Sequence, residues 1–157
     1  VQIPHKFSKK EDIEIPGFLT AIISWGNRKS ILKNANSLMQ LFDNAPFDFV
    51  INHSPEDLNS LDTFVHRTFN GIDLQFFVRS LKRIYLQKNG LEGIFVKHSQ
   101  SLDLQPAIHQ FRQEFFELPH EKRTEKHISD PCKNSAAKRI NISIRVNRVI
   151  NEKGGFP

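Results

Sequence analysis

Ile31-Leu32-Lys33-Asn34-Ala35-Asn36-Ser37-Leu38-Met39-Gln40-Leu41-Phe42 is the stretch that decides the fold class. Ile31, Leu32, Ala35, Leu38, Met39 and Phe42 recur at helical spacing, so they form one buried stripe, and the residues between them are mostly polar. The same period appears on both sides of it. N-terminally it carries Ile15, Phe18, Leu19, Ile22 and Ile23. C-terminally it carries Leu74, Phe77, Val78, Leu81, Ile84 and Tyr85, then Leu104, Ile108, Phe111, Phe115 and Leu118. Four amphipathic segments joined by short connections predict an all-α, compact multi-helix domain of about five to seven helices. The chain has 157 residues, a length that fits one domain with one core, so residues 1–157 are expected to form a single helical domain.

The punctuation between the stripes agrees. Ser8-Lys9-Lys10-Glu11 has the spacing of a capping box and predicts the first helix start. Pro16 removes one backbone donor from that helix and predicts a kink, with Gly26 as its end. Asn44-Ala45-Pro46 breaks the second helix, a short Phe47-Phe49-Val50 piece follows, and Ser54-Pro55 predicts a capped helix start. Phe64 to Phe69 tolerates β structure but has no second strand pattern nearby, which predicts an extended connector ending at Asn70-Gly71. A long helix from Asp73 closed by Asn89-Gly90, a single turn through Leu91 to Phe95, and a polar loop from His120 to Lys133 complete this part. Beyond it, Ile140, Ile144 and Val149 suit a helix while Ile142 to Asn147 alternates like a strand; context favours the helix.

Fourteen Phe against one Trp and one Tyr imply a core built from rings without a polar handle. Twenty-two Lys and Arg against 17 Asp and Glu give a net charge of +5, which favours a polyanionic partner. Cys132 is the sole cysteine, so no intrachain disulfide forms, and neither a lowered thiol pKa nor a positioned base marks it as a nucleophile. The seven histidines show no metal-ligand spacing, no glycine-rich phosphate loop occurs, and no metal or cofactor is expected. No apolar leader opens the chain and no stretch approaches the ~20 apolar residues of a spanning helix, so a cytoplasmic protein with no membrane partner is expected.

Two basic clusters remain. Asn27-Arg28-Lys29-Ser30 lies at a helix junction where free backbone N–H groups favour an anion; the alternative is a solvated cap. Lys133-Asn134-Ser135-Ala136-Ala137-Lys138-Arg139 combines basic and small residues at an expected helix start, which allows close approach of a nucleic-acid backbone.

Gln2 to His5, Glu11 to Ile15, Gly17 to Ala21 and Trp25 to Ser30 together resemble a bacterial family of conserved hypothetical proteins of unknown function. The likeness continues through Val65-His66-Arg67-Thr68-Phe69-Asn70-Gly71 and Ser135 to Asn141. That family is in turn similar to the helix-hairpin-helix DNA glycosylases of the archaeal 8-oxoguanine type, all-α enzymes with a cleft between two helical subdomains. The resemblance implies a lysine that attacks the deoxyribose C1′ of an extruded nucleotide, and the Ser-Ala-x-Lys-Arg-x-Asn pattern puts it on Lys138. It implies DNA as partner, with Arg28, Lys29, Lys133 and Arg139 on phosphates and Asn27, Asn134 and Ser135 beside them. The chain departs from the pattern at Pro16, where an alanine is usual, and after Asn141, where Ile142 to Arg148 replaces an expected aromatic-rich helix and a Pro-Leu-Asp-x-His segment. Without the assisting aspartate the expectation is a truncated and catalytically crippled domain whose uncovered apolar faces self-associate. The rival expectation is a noncatalytic helical interaction module or a decayed remnant.

Overall fold

The structure, a computed structural model, describes residues 9–98 and 105–130. Among these residues it is mainly α, with helices α1 (Lys10–Ile22), α2 (Arg28–Leu41), α3 (Pro46–Asn52), α4 (Pro55–Asn59), α5 (Gly71–Gln87), α6 (Gly90–His98) and α7 (Gln105–Phe115). Two short 3-10 segments, Ser60–Thr63 and Lys122–His127, and one antiparallel hairpin of β1 (Val65–His66) and β2 (Phe69–Asn70) complete it.

The helix starts follow local chemistry. Asn27 caps α2, Ser54 and Asp57 form a reciprocal capping box on α4, and Asn70 and Asp73 form another on α5. Helix α1 starts differently: its N-cap is Lys9, which makes no side-chain cap bond, and Ser8 lies outside the described residues. The helix continues through Pro16 to Ile22, well short of Gly26. Asp12 in its first turn accepts a hydrogen bond from the Phe47 N–H at 3.0 Å and so ties α1 to the start of α3.

Residues Ile13 to Ile22 of α1 are all buried, so this helix runs through the centre, with α2 and α3 packed against it and α5 reached through the Phe18–Phe77 ring pair. The Phe-rich core follows. Phe18 of α1 lies 6.1 Å from Phe77, 5.7 Å from Phe111 and 5.7 Å from Phe115, ring centre to ring centre, which joins α1, α5 and α7. Ser80 on α5 donates to the Phe115 carbonyl at 2.6 Å, satisfying an end of α7 inside the core. Gly71 begins α5 where a Cβ would stand 2.5 Å from the Asp62 carbonyl oxygen, so only glycine lets α5 close on the Ser60–Thr63 segment.

Beyond α1, three further segments differ from the sequence expectation. The extended connector at 64–69 is a hairpin, because β1 and β2 are too short to show alternation. Helix α6 extends to His98 instead of ending after one turn. The polar stretch after Pro119 includes the 3-10 helix Lys122–His127, whose Thr124 and His127 are buried. No helix among the described residues is long and apolar enough to cross a membrane. The large apolar side chains exposed there are Val65, Ile72 and Leu86.

Candidate functional site

Two segments quoted above for their likeness, Trp25 to Ser30 and Val65 to Gly71, meet in space. The link is His66, 2% exposed, whose Nε2 lies 3.1 Å from the Trp25 carbonyl and whose Nδ1 lies 2.7 Å from Asn34 Nδ2. A carbonyl oxygen only accepts, so Nε2 carries the proton and Nδ1 accepts from the Asn34 amide. One imidazole thereby joins the α1–α2 loop, the middle of α2 and the hairpin. Its ring also meets the Trp25 indole edge to face at 5.8 Å.

The hairpin turn carries Arg67 in the left-handed region, φ 55°. Its guanidinium carbon stands over the Trp25 ring, 5.2 Å from the centre. Gly26, φ 104°, allows this approach: a Cβ there would lie 2.7 Å from Arg67 Nε. The next residue of the turn is held from the other side, where Arg123 donates to the Thr68 carbonyl at 2.8 Å.

Asn27 Oδ1 accepts from the Lys29 N–H at 2.8 Å and the Ser30 N–H at 3.4 Å. The donors that an anion was expected to use are therefore engaged by the chain's own cap, and the exposed side chains of Arg28 and Lys29 are what the junction presents. Lys33 follows one turn later, also exposed, and α2 contains no acidic residue. Arg28, Lys29, Lys33 and Arg67 form no carboxylate ion pair among the described residues, whereas Arg83, Arg112 and Arg123 are each paired. Lys133, Asn134, Ser135, Lys138 and Arg139 lie outside the described residues, as does Cys132.

Behind the hairpin, Asp73 is fully buried. It accepts from the Asn70 N–H at 3.0 Å, Thr124 Oγ1 at 2.7 Å, Arg123 Nη1 at 2.8 Å and His127 Nε2 at 3.2 Å. Burial works to raise its pKa, but the hydrogen bonds from His127, Asn70 and Thr124 and the charge of His127 outweigh it and hold the carboxyl well below the usual range. The same carboxylate thus caps α5 and fastens Lys122–His127, with Arg123 relaying the anchor to the turn.

A second buried acid lies away from this face. Glu14 accepts from the Glu92 N–H at 3.0 Å near the start of α6, and burial pushes its pKa up to about 7, against the lowering effect of Lys10 and with a further rise from Glu11. The adjoining surface has a cleft of about 630 Å³ lined by Lys10, Lys88, Asn89, Glu92 and Glu114 among others. Among the described residues no three His, Cys, Asp or Glu side chains are grouped to hold a metal ion.

The sequence reading singled out Asn27, Arg28 and Lys29 but not Lys33, Arg67 or Arg123, nor the supports His66, Asn34 and Asp73. The signal for Arg67 and His66 lay in the segment Val65 to Gly71, whose polar residues had no evident local partner; Lys33, Asn34, Asp73 and Arg123 lie outside both quoted segments. The match to a family described as protein of unknown function, DUF2400, spans residues 1–146 and contains both segments. The chain belongs to the DUF2400 family. No curated protein and no solved structure matches it. The Trp25–His66–Arg67 junction of this DUF2400 chain lies wholly within the matched residues.

Proposed function

We propose that this chain binds DNA through the cationic face of α2 and the hairpin turn, as a domain resembling the base-excision glycosylases. The observation that carries the reading is the placement of Arg28, Lys29 and Lys33 on α2 and of Arg67 on the hairpin that His66 ties to Trp25 across 41 residues, with no carboxylate pairing these cations among the described residues. Surface cations left unneutralised are electrostatically suited to phosphates, and Arg67 has its backbone and side chain already positioned.

Four phosphate contacts predict that log K falls with log salt at a slope of about −3 to −4. Fluorescence anisotropy with a labelled oligonucleotide measures it, and replacing Arg28, Lys29, Lys33 or Arg67 singly by alanine should each reduce the slope by about 1. Affinity that ignores salt, or a slope unmoved by these changes, would refute the reading; the first result favours a noncatalytic module with an apolar partner face.

The chemistry implied by the resemblance assigns the nucleophile to Lys138. Its neutral Nζ attacks C1′, the glycosidic bond breaks with its electron pair going to the base, which takes up a proton, and ring opening leaves a Schiff base to Nζ. Borohydride would reduce that C=N bond and trap the protein on DNA carrying an abasic site or 8-oxoguanine. An adduct lost in Lys138→Ala is the expected result; no adduct would confine the function to binding.

A further inference from the structure

We propose that the guanidinium of Arg67, backed by the Trp25 indole, is a stacking platform for an unpaired nucleobase, so that this face takes a single-stranded or extruded nucleotide. The proposal rests on the DNA reading above and narrows it to the form of the ligand.

Four separate features converge on this one placement. Gly26 lacks the Cβ that would strike Arg67 Nε at 2.7 Å. Arg67 accepts a left-handed backbone, φ 55°, at a cost of about 1–2 kcal/mol for a residue with a Cβ. His66, buried and bonded on both ring nitrogens, fixes the Trp25 carbonyl and supports the indole edge. Arg123 holds the Thr68 carbonyl and is itself locked to Asp73, so the turn is fastened on both sides. An arginine placed only for solubility requires none of these arrangements.

The chemistry of the assembled group selects the ligand. A guanidinium is a flat, weakly hydrated cation that stacks on π faces, and this one already stands over the indole ring. Arg67 is solvent-exposed and Trp25 half-buried, so the pair is open to a ligand from the solvent side. A nucleobase laid on it continues the stack, and every base has a π face to offer. A paired base within a duplex has both faces covered by its neighbours. The phosphates flanking an unpaired base fall to Arg28, Lys29 and Lys33, the cations that adjoin Gly26 along α2.

The chain contains one tryptophan, so its indole emission reports on this platform alone. The experiment titrates the protein with a short oligothymidylate, an abasic oligomer of the same length and charge, and a duplex, at one salt concentration, following Trp25 emission and anisotropy. The expected result is saturable quenching by the oligothymidylate, with the abasic oligomer binding about 5-fold or more weakly. Arg67→Lys keeps the charge but loses the plane, and its affinity for oligothymidylate should fall to that for the abasic oligomer. Equal affinity of the wild-type protein for base-bearing and abasic strands would overturn the stacking proposal while leaving the DNA reading intact, and this comparison needs no variant. Tighter binding of the duplex would also overturn it. No binding of any of the three at low salt would overturn the DNA reading and this proposal together.

Discussion

Replacing Asp73 by alanine removes one carboxylate that serves four donors at once: the Asn70 N–H, Thr124 Oγ1, Arg123 and His127. The side chain has no exposure, so water cannot replace it without opening the packing of α5 against Lys122–His127. Removing one partner of a buried ion pair costs about 3–5 kcal/mol, since the other charge is left unpaired. Loss of the cap, about 1 kcal/mol, belongs to the same network and is not simply added. Domains of this size shift by roughly 2–4 °C per kcal/mol, so the expected fall in Tm is about 6–20 °C. Thermal denaturation followed by circular dichroism measures it, with urea unfolding as a check that the m-value is unchanged. Asp73 is also held as the anion in the fold, its pKa depressed below the unfolded value. Its contribution is therefore present above about pH 4, the unfolded range of an aspartate, and lost as pH falls toward the folded value. The gap between wild type and variant should narrow on acidification below about pH 4. A Tm change under about 2 °C at neutral pH, or a gap that widens in acid, would refute the assignment of Asp73 as the anchor.

Glu14 predicts the opposite pH behaviour. Its folded pKa, about 7, lies above the ordinary value of 4.5, so the folded state keeps a proton that the unfolded chain releases. Wild-type stability should fall relative to Glu14→Gln as pH rises between these values, by up to about 3 kcal/mol, and the difference should level off above the folded pKa. Parallel denaturation curves across that range test it, and a pH-independent difference would sink it. Gly26→Ala should cost about 1–2 kcal/mol, because alanine resists φ 104° and its Cβ meets Arg67. Arg67 should also shift off the indole, changing Trp25 emission; a variant with native stability and native emission would show that the close approach is not required.

The helices were largely legible in the sequence because their signal is local. The stripe Ile31 to Phe42 became α2, Leu74 to Tyr85 became α5, and Ile108, Phe111 and Phe115 became the buried side of α7. Ser54-Pro55 marked the capped start of α4, and Asn27 stood at the α2 junction as a cap, the solvated alternative weighed for it. In each case the deciding residues lie within a few positions of one another, and the 3.6-residue period is set by the backbone itself.

The candidate site depended on contacts of another kind. His66 looked like one polar residue in an extended connector until the fold placed it against Trp25, 41 residues earlier, and Asn34. Arg123, Thr124 and His127 belonged to a polar loop until Asp73, 50, 51 and 54 residues earlier, gave them a buried anion to serve. A two-residue strand is too short to carry alternation, so the hairpin that orients Arg67 had no period to betray it. The sequence by itself determined which segments are helical and which faces they bury, because periodicity and capping act over a few residues. Only the tertiary structure decided which polar side chains are buried and which cations go without a carboxylate among the described residues, because a buried polar group is stable only where distant parts of the chain bring its partner.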